Sequence, residues 1–211
     1  MSEVQVRGER LELLPAKALW WPRARVLIIA DMHMGKATHF RKAGIAVPGA
    51  VEQRNVQRAQ ALLAHYAPHE VLLLGDLFHS RHNGSWEAFV ALRRAHSATH
   101  FTLVTGNHDI LHPDRYAEAG VHCEPQRVQG PFLFTHHPTS TAVHYNIAGH
   151  VHPGVRIRGA ARQSIVLPCF LFGEAGALLP AFGAFTGLHV LRPAEGERVF
   201  AVAGERVHPY I

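Results

Sequence analysis

The chain has 211 residues, 47% of them hydrophobic and 18% charged, which is enough apolar material for one folded domain with a sizeable core. A net charge of +5 suits a polyanionic partner, while two cysteines exclude a disulfide-stapled scaffold and fit a reducing compartment. No run approaches the roughly 18 uninterrupted apolar residues of a membrane span, and the charged segment Met1 to Glu12 does not read as a secretory signal; a single cytoplasmic domain over residues 1–211 is expected.

In chain order, Leu11 to Leu14 and Ala18 to Trp21 read as an edge hairpin. Val26 to Ala30 is a strand buried on both faces that ends in Asp31-Met32-His33, two ligand types at a spacing that points both side chains the same way on extended chain. Gly35 to Gly49 reads as a loop carrying Lys36, Arg41 and Lys42. Ala50 to Tyr66 reads as a helix with Ala59, Leu62 and Leu63 on its apolar stripe and with Arg54 and Arg58 turned to solvent. Val71 to Leu74 is again continuously aliphatic, and Gly75 lets the chain turn sharply to present Asp76 at the strand end, followed by His79. Ser85 is positioned to cap a helix reaching His96.

The same grammar then repeats. Phe101 to Thr105 leads into Gly106-Asn107-His108-Asp109, Pro131 to Thr135 into His136-His137, and Tyr145 to Ala148 into Gly149-His150-Val151-His152. Five strand ends are therefore expected to converge on one cleft. Beyond Pro153 the pattern changes to antiparallel strands, 155–157, 164–167, 185–191 and 199–203, which would form a second sheet closing the sandwich. The other histidines, His65, His69, His96, His100, His122, His189 and His208, are read as ordinary core or surface residues.

Asp31, His33, Asp76, Asn107, His136, His150 and His152 supply oxygen and nitrogen ligands without a thiolate, more than one ion needs and suited to two ions sharing a carboxylate. Asp76, at the sharpest turn, is the natural bridge. Two divalent ions, the two aspartates and a bridging hydroxide sum to about +1, a host for a singly charged phosphodiester. His108 is free to reach a substrate instead of a metal. Two adjacent histidines on extended chain point in opposite directions, so only one of His136 and His137 faces the metals, and His136 is the choice.

Together D-x-H, G-D-x-x-H, G-N-H-D, a histidine after a strand and G-H-x-H resemble the calcineurin-like metallophosphoesterases. The G-D-L-F-H form of the second block is similar to that of SbcD-type repair nucleases. The D-M-H-M-G-K block at 31–36 and L-P-A-F-G at 179–183 are similar to the bacterial ligase-associated DNA damage response endonuclease (PdeM) group. The resemblance implies an α/β fold, a four-layer αββα sandwich of two mixed β-sheets flanked by helices. It implies that Asp31, His33, Asp76 and His152 hold one divalent ion, and Asp76, Asn107, His136 and His150 the other, with Mn(2+) favoured over iron or zinc. His108 would be general acid or transition-state stabiliser, and Asn107, His79 and His108 would meet the substrate. The implied activity is a dinuclear phosphodiesterase in which a metal-bridging hydroxide attacks phosphorus, a DNA endonuclease of DNA repair associated with a ligase and a helicase. A phosphomonoesterase or cyclic-nucleotide phosphodiesterase of the same fold is the alternative. His79, at the cleft rim and uncharged when neutral, suits a diester better than a monoester dianion.

Overall fold

The computed structural model describes residues 2–36, 44, 50–78, 85–159, 163–184 and 186–210, with the side chains of 50–52 excepted. His79, Arg41, Lys42 and Phe185 lie outside the described residues.

The first sheet runs β1 (Ser2–Val6), β2 (Glu9–Leu14), β3 (Ala18–Trp21), β4 (Val26–Ala30), β5 (Glu70–Leu74), β6 (His100–Val104) and β7 (Val121–Glu124), and its spatial order is the chain order. The hairpin of β2 and β3 is thus internal, because β1, read from sequence as a polar lead-in, covers its outer side antiparallel. The half-buried alternation of β1 is carried by Val4 and Val6 alone, too short a signal against its charged neighbours. From β4 to β7 the strands are parallel. Helices α1 (Ala50–Tyr66), α2 (Ser85–Ala95) and α3 (Pro113–Glu118) make the crossovers that parallel pairing requires.

The continuous aliphatic runs are explained by burial on both faces. Ile28, Ala30, Leu72 and Leu74 face the second sheet, while Leu27, Ile29, Val71 and Leu73 pack under Leu62, Leu63, Phe89 and Leu92 of the helices.

The second sheet has the order β14 (His189–Val190), β11 (Pro153–Arg158), β12 (Ser164–Phe172), β13 (Gly176–Leu178), β10 (Tyr145–Ala148), β9 (Phe132–Thr135) and β8 (Arg127–Gln129), with β15 (Arg198–Ala203) pairing β12 and β16 (Arg206–Pro209) pairing β15. It begins well before Pro153, and it is mixed: β10 lies parallel to both β9 and β13, and β11 parallel to β14. The expected antiparallel character holds for β11 with β12 and for β12 with β15. Phe132, Phe134, Ile147, Phe170 and Phe172 fill the space between the sheets. A smaller cluster around Val155, Leu171 and Val199 lies apart from this core. Among the described residues the helices flank the first sheet, and no helix follows β7. No described helix is long and apolar enough to cross a membrane.

Candidate metal centre

The site gathers where β4, β5 and β6 of one sheet and β9 and β10 of the other all end. Asp31, fully buried, leaves β4 with a φ of 52°, and His33, Asp76, His150 and His152 also adopt left-handed backbone, at 45°, 50°, 65° and 51°. Such conformations cost of order 1–3 kcal/mol each for residues with a side chain and persist only where the surroundings impose them. Here the loops impose them on one another. The His33 N–H donates to the Asp76 carbonyl at 2.9 Å, Met34 donates to Leu77 at 2.9 Å, and the Asp31 carboxylate accepts the His150 N–H from the opposite sheet at 2.9 Å. Gly75 (φ 70°) has no alternative, since a Cβ there would run into the His136 ring and the Gly106 backbone.

Two carbonyls decide which way the histidines face. His136, buried, directs Nδ1 at the Leu74 carbonyl, 3.1 Å away, so that Nδ1 carries the proton and Nε2 a lone pair. That lone pair faces the Asn107 Oδ1 at 3.0 Å, the His150 Nδ1 at 3.1 Å and the Asp76 Oδ1 at 3.4 Å. His152 likewise directs Nδ1 at the Gly187 carbonyl, 3.2 Å away, and its Nε2 lies 3.2 Å from His33 Nε2 and 3.5 Å from Asp31 Oδ1. The Asp31 Oδ1 is buried and accepts no hydrogen bond among the described residues. Lone pairs aimed at carboxylate and amide oxygens repel, and a cation between them reverses the sign. The groups that could hold a cation are Asp31, His33 and His152, then Asp31, Asp76 and His136, and then His136, His137 and His150, and their oxygen and nitrogen donors suit hard or borderline ions. Desolvation first, then the neighbouring His137 and His136, hold His150 below its ordinary pKa, favouring the neutral, ligating form.

All seven expected ligands are brought together. The expected opposition of His136 and His137 is not observed. Both rings approach His150, at centroid distances of 4.9 and 4.0 Å, because β9 ends at Thr135 and the alternation of an extended strand does not continue. They differ in exposure instead, His136 being buried and His137 exposed, and ring nitrogens of His136, His137 and His150 lie within 4.8 Å of one another. The His108 ring stands 5.9 Å from that of His33, and the backbone N–H of His108 donates to Asp76 Oδ1 at 2.9 Å.

Two parts of the site carry no ligand signal in the sequence. Asp109 receives the N–H groups of Asp76, Gly106 and Leu77 at 2.8, 2.8 and 2.9 Å, and burial pushes its carboxyl up to about 6 against those three donors. The segment Leu179 to Ala184 lies across the first half-site, Phe182 donating to the Ala30 carbonyl at 2.8 Å and Gly183 to that of Asp31 at 3.0 Å. Arg58, read as solvated, is instead turned inward. Its guanidinium lies 4.0 Å over the Phe182 ring and donates to the Phe182 carbonyl and to Asn55, while Lys17 donates to the Gly183 carbonyl at 2.9 Å. An arginine stem at helical spacing cannot reveal which long-range carbonyl its head will find.

The family model for calcineurin-like phosphoesterases matches residues 24–153, the stretch that holds every one of these ligands. The chain belongs to that family. Calcineurin-like phosphoesterases are metal-dependent hydrolases of phosphate esters, and the chain is such an enzyme. Among solved structures, the Pseudomonas putida nuclease MPE is similar at 33% identity with a TM-score of 0.83, the match covering 99% of this chain and 98% of that one. No curated protein matches the chain.

Proposed function

We propose that the chain is a dinuclear phosphodiesterase that cuts DNA. The observation that carries the two-metal reading is the pair of carbonyl-tethered histidines, each presenting Nε2 to an acid oxygen, His136 to Asp76 at 3.4 Å and His152 to Asp31 at 3.5 Å. Asp31, His33, Asp76 and His152 would hold one ion and Asp76, Asn107, His136 and His150 the other, with Mn(2+) favoured by the family resemblance and Mn, Fe and Zn all compatible with the ligand types. Divalent ions held there would lower the pKa of bound water towards about 7 and offset negative charge on phosphate oxygen.

The chain's own residues supply the rest. The two aspartates, held by the N–H groups of His150 and His108, keep the anionic floor in place. His108, beside His33 at the edge of the cluster, is positioned to donate a hydrogen bond or proton to the leaving oxygen. His79 is proposed, on its motif alone, as a contact to the diester. A DNA substrate is supported by the likeness to a nuclease over nearly the whole chain and by the basic charge balance. The motif resemblance to ligase-associated repair endonucleases supports a cytoplasmic role in DNA repair alongside a ligase and a helicase. The deciding experiment assays the purified protein with manganese on single-stranded, nicked and duplex DNA, and on a diester and a monoester of one alcohol. Cleavage of DNA and of the diester over the monoester is expected. Monoester preference without DNA cleavage would overturn the reading.

A further inference from the structure

β11 starts at the residue after the ligand His152, and the segment that leads into and follows β14 runs beside it. His189 donates to the His152 carbonyl at 3.0 Å and Leu191 to that of Gly154 at 2.8 Å. Both lines of chain lead away from the metal centre, and both carry arginines. Arg156 and Arg158 are two apart on β11 and share a face, about 13 and 20 Å along the strand from His152 at about 3.3 Å per residue. Arg192 lies on the neighbouring segment.

All three line a cleft of about 590 Å³ that also includes Val190 and Tyr210, and Arg156 and Arg158 line a second of about 410 Å³ that extends to Ser164. Among the described residues none that lines either cleft is acidic and none of the three arginines forms an ion pair, Arg156 donating only to Ser164 Oγ at 3.4 Å. The strand edge is short of partners as well, since β14 covers only Pro153 and Gly154. Tyr210 lies over the remainder with 44% of its surface exposed, and its hydroxyl donates to the Arg156 carbonyl at 3.3 Å, which fixes the ring in place.

Resting on the proposed nuclease activity, we infer that β11 is a track for the strand of nucleic acid leaving the metal centre. Arg156, Arg158 and Arg192 contact successive phosphates, and Tyr210 offers a face on which a base stacks. Three unpaired arginines and a tethered aromatic ring beside a phosphodiester-cleaving centre are the elements by which proteins hold single strands without reading sequence. The alternative occupant, an acidic protein segment, would use the arginines but not the ring or the link to the ligand His152.

The test compares the wild type with an Arg156→Ala/Arg158→Ala double variant and with Tyr210→Ala, all loaded with manganese. Three substrates are used: bis(p-nitrophenyl) phosphate, a dinucleotide, and a single strand of about 20 nucleotides, longer than the roughly 4 to 16 that a single-strand site occupies. The double variant is expected to match the wild type on both small substrates and to lose at least about tenfold in kcat/KM on the long strand. Its salt dependence should flatten by about 0.7 in log–log slope per arginine removed. Tyr210→Ala should lose activity on the long strand only. Unchanged cleavage of the long strand by the double variant, or an equal loss on all three substrates, overturns the track while leaving the nuclease reading standing. Wild-type hydrolysis of the nitrophenyl diester without any cleavage of nucleic acid overturns the nuclease reading itself. Competition by poly-glutamate as strong as that by an uncleavable oligonucleotide reassigns the track to an acidic protein partner.

Discussion

The Asp109 carboxylate accepts the backbone N–H of Asp76 at 2.8 Å, so one acid that binds no metal holds in place the acid at the centre of the ligand cluster. With its further bonds from Gly106 and Leu77, it locks the loops after β5 and β6 together and thereby sets the position of Asn107 as well. Asp109→Asn leaves every ligand untouched but offers one oxygen for three donors and turns an NH2 group towards the remaining N–H, a mismatch of about 1–3 kcal/mol. Manganese affinity should fall about 10-fold to 100-fold, the range for groups that orient ligands. Titration calorimetry on the metal-free protein measures it, and wild-type affinity in this variant would show that the loops hold themselves.

The gathering of the candidate ligands was legible because each strand reads as an unbroken aliphatic run that stops at a ligand type, a pattern local enough to survive without knowledge of the fold. Asp109 stands in the same G-N-H-D block, yet its role depends on N–H groups of a loop more than thirty positions away, which no spacing rule reports. The Leu179 to Ala184 segment and Arg58 escape for the same reason. The strand pattern beyond Pro153 reads as antiparallel, and only the family resemblance implied the mixed sheet that is found, because β13 (Gly176–Leu178) is too short to signal itself and its parallel pairing with β10 is set by tertiary packing. His79 lies outside the described residues.

Gly183 is where the overlying segment touches the first half-site. A Cβ built there would stand 2.5 Å from the Met32 carbonyl oxygen and 3.1 Å from that of Asp31, and both belong to backbone that cannot swing aside. Gly183→Ala should therefore push the loop of Asp31 and His33 out of register. The strain is of the order of 1–3 kcal/mol seen for overpacked cores. Metal analysis should find the bound manganese reduced, with the loss centred on the site of Asp31, His33 and His152. Full metal content with an unchanged melting temperature would mean that the segment yields without moving the ligands.

Lys17 gives the fold a pH dependence. Burial, reinforced by the nearby Arg58 charge, lowers its pKa from 10.5 to about 7. The folded protein thus gives up this proton more readily than the unfolded chain. The cost of holding the charge is fully present below pH 7 and is relieved as pH rises from 7 towards 10.5. Lys17→Met removes the dependence along with the bond to Gly183. The melting temperature of the wild type relative to this variant should rise between pH 6 and pH 9 by at least about 3 °C, equivalent to about 1 kcal/mol in a chain of this size. Parallel curves for the two proteins would place the Lys17 amine in water.

His108 separates metal binding from catalysis, because its backbone N–H secures Asp76 whereas its ring stands beside His33. A substitution that removes only the ring keeps the N–H, so His108→Ala should retain the manganese content of the wild type. General acid assistance is worth roughly 100-fold to 10,000-fold. The loss should be of that order for an alkoxide leaving group, which needs a proton, and much smaller for nitrophenolate, which departs without one. The slope of log kcat against leaving-group pKa is therefore expected to steepen in the variant. An equal loss for both classes of leaving group would make His108 a stabiliser of the phosphoryl oxygens instead of a proton donor, and a loss of metal would make its ring part of the ligand framework.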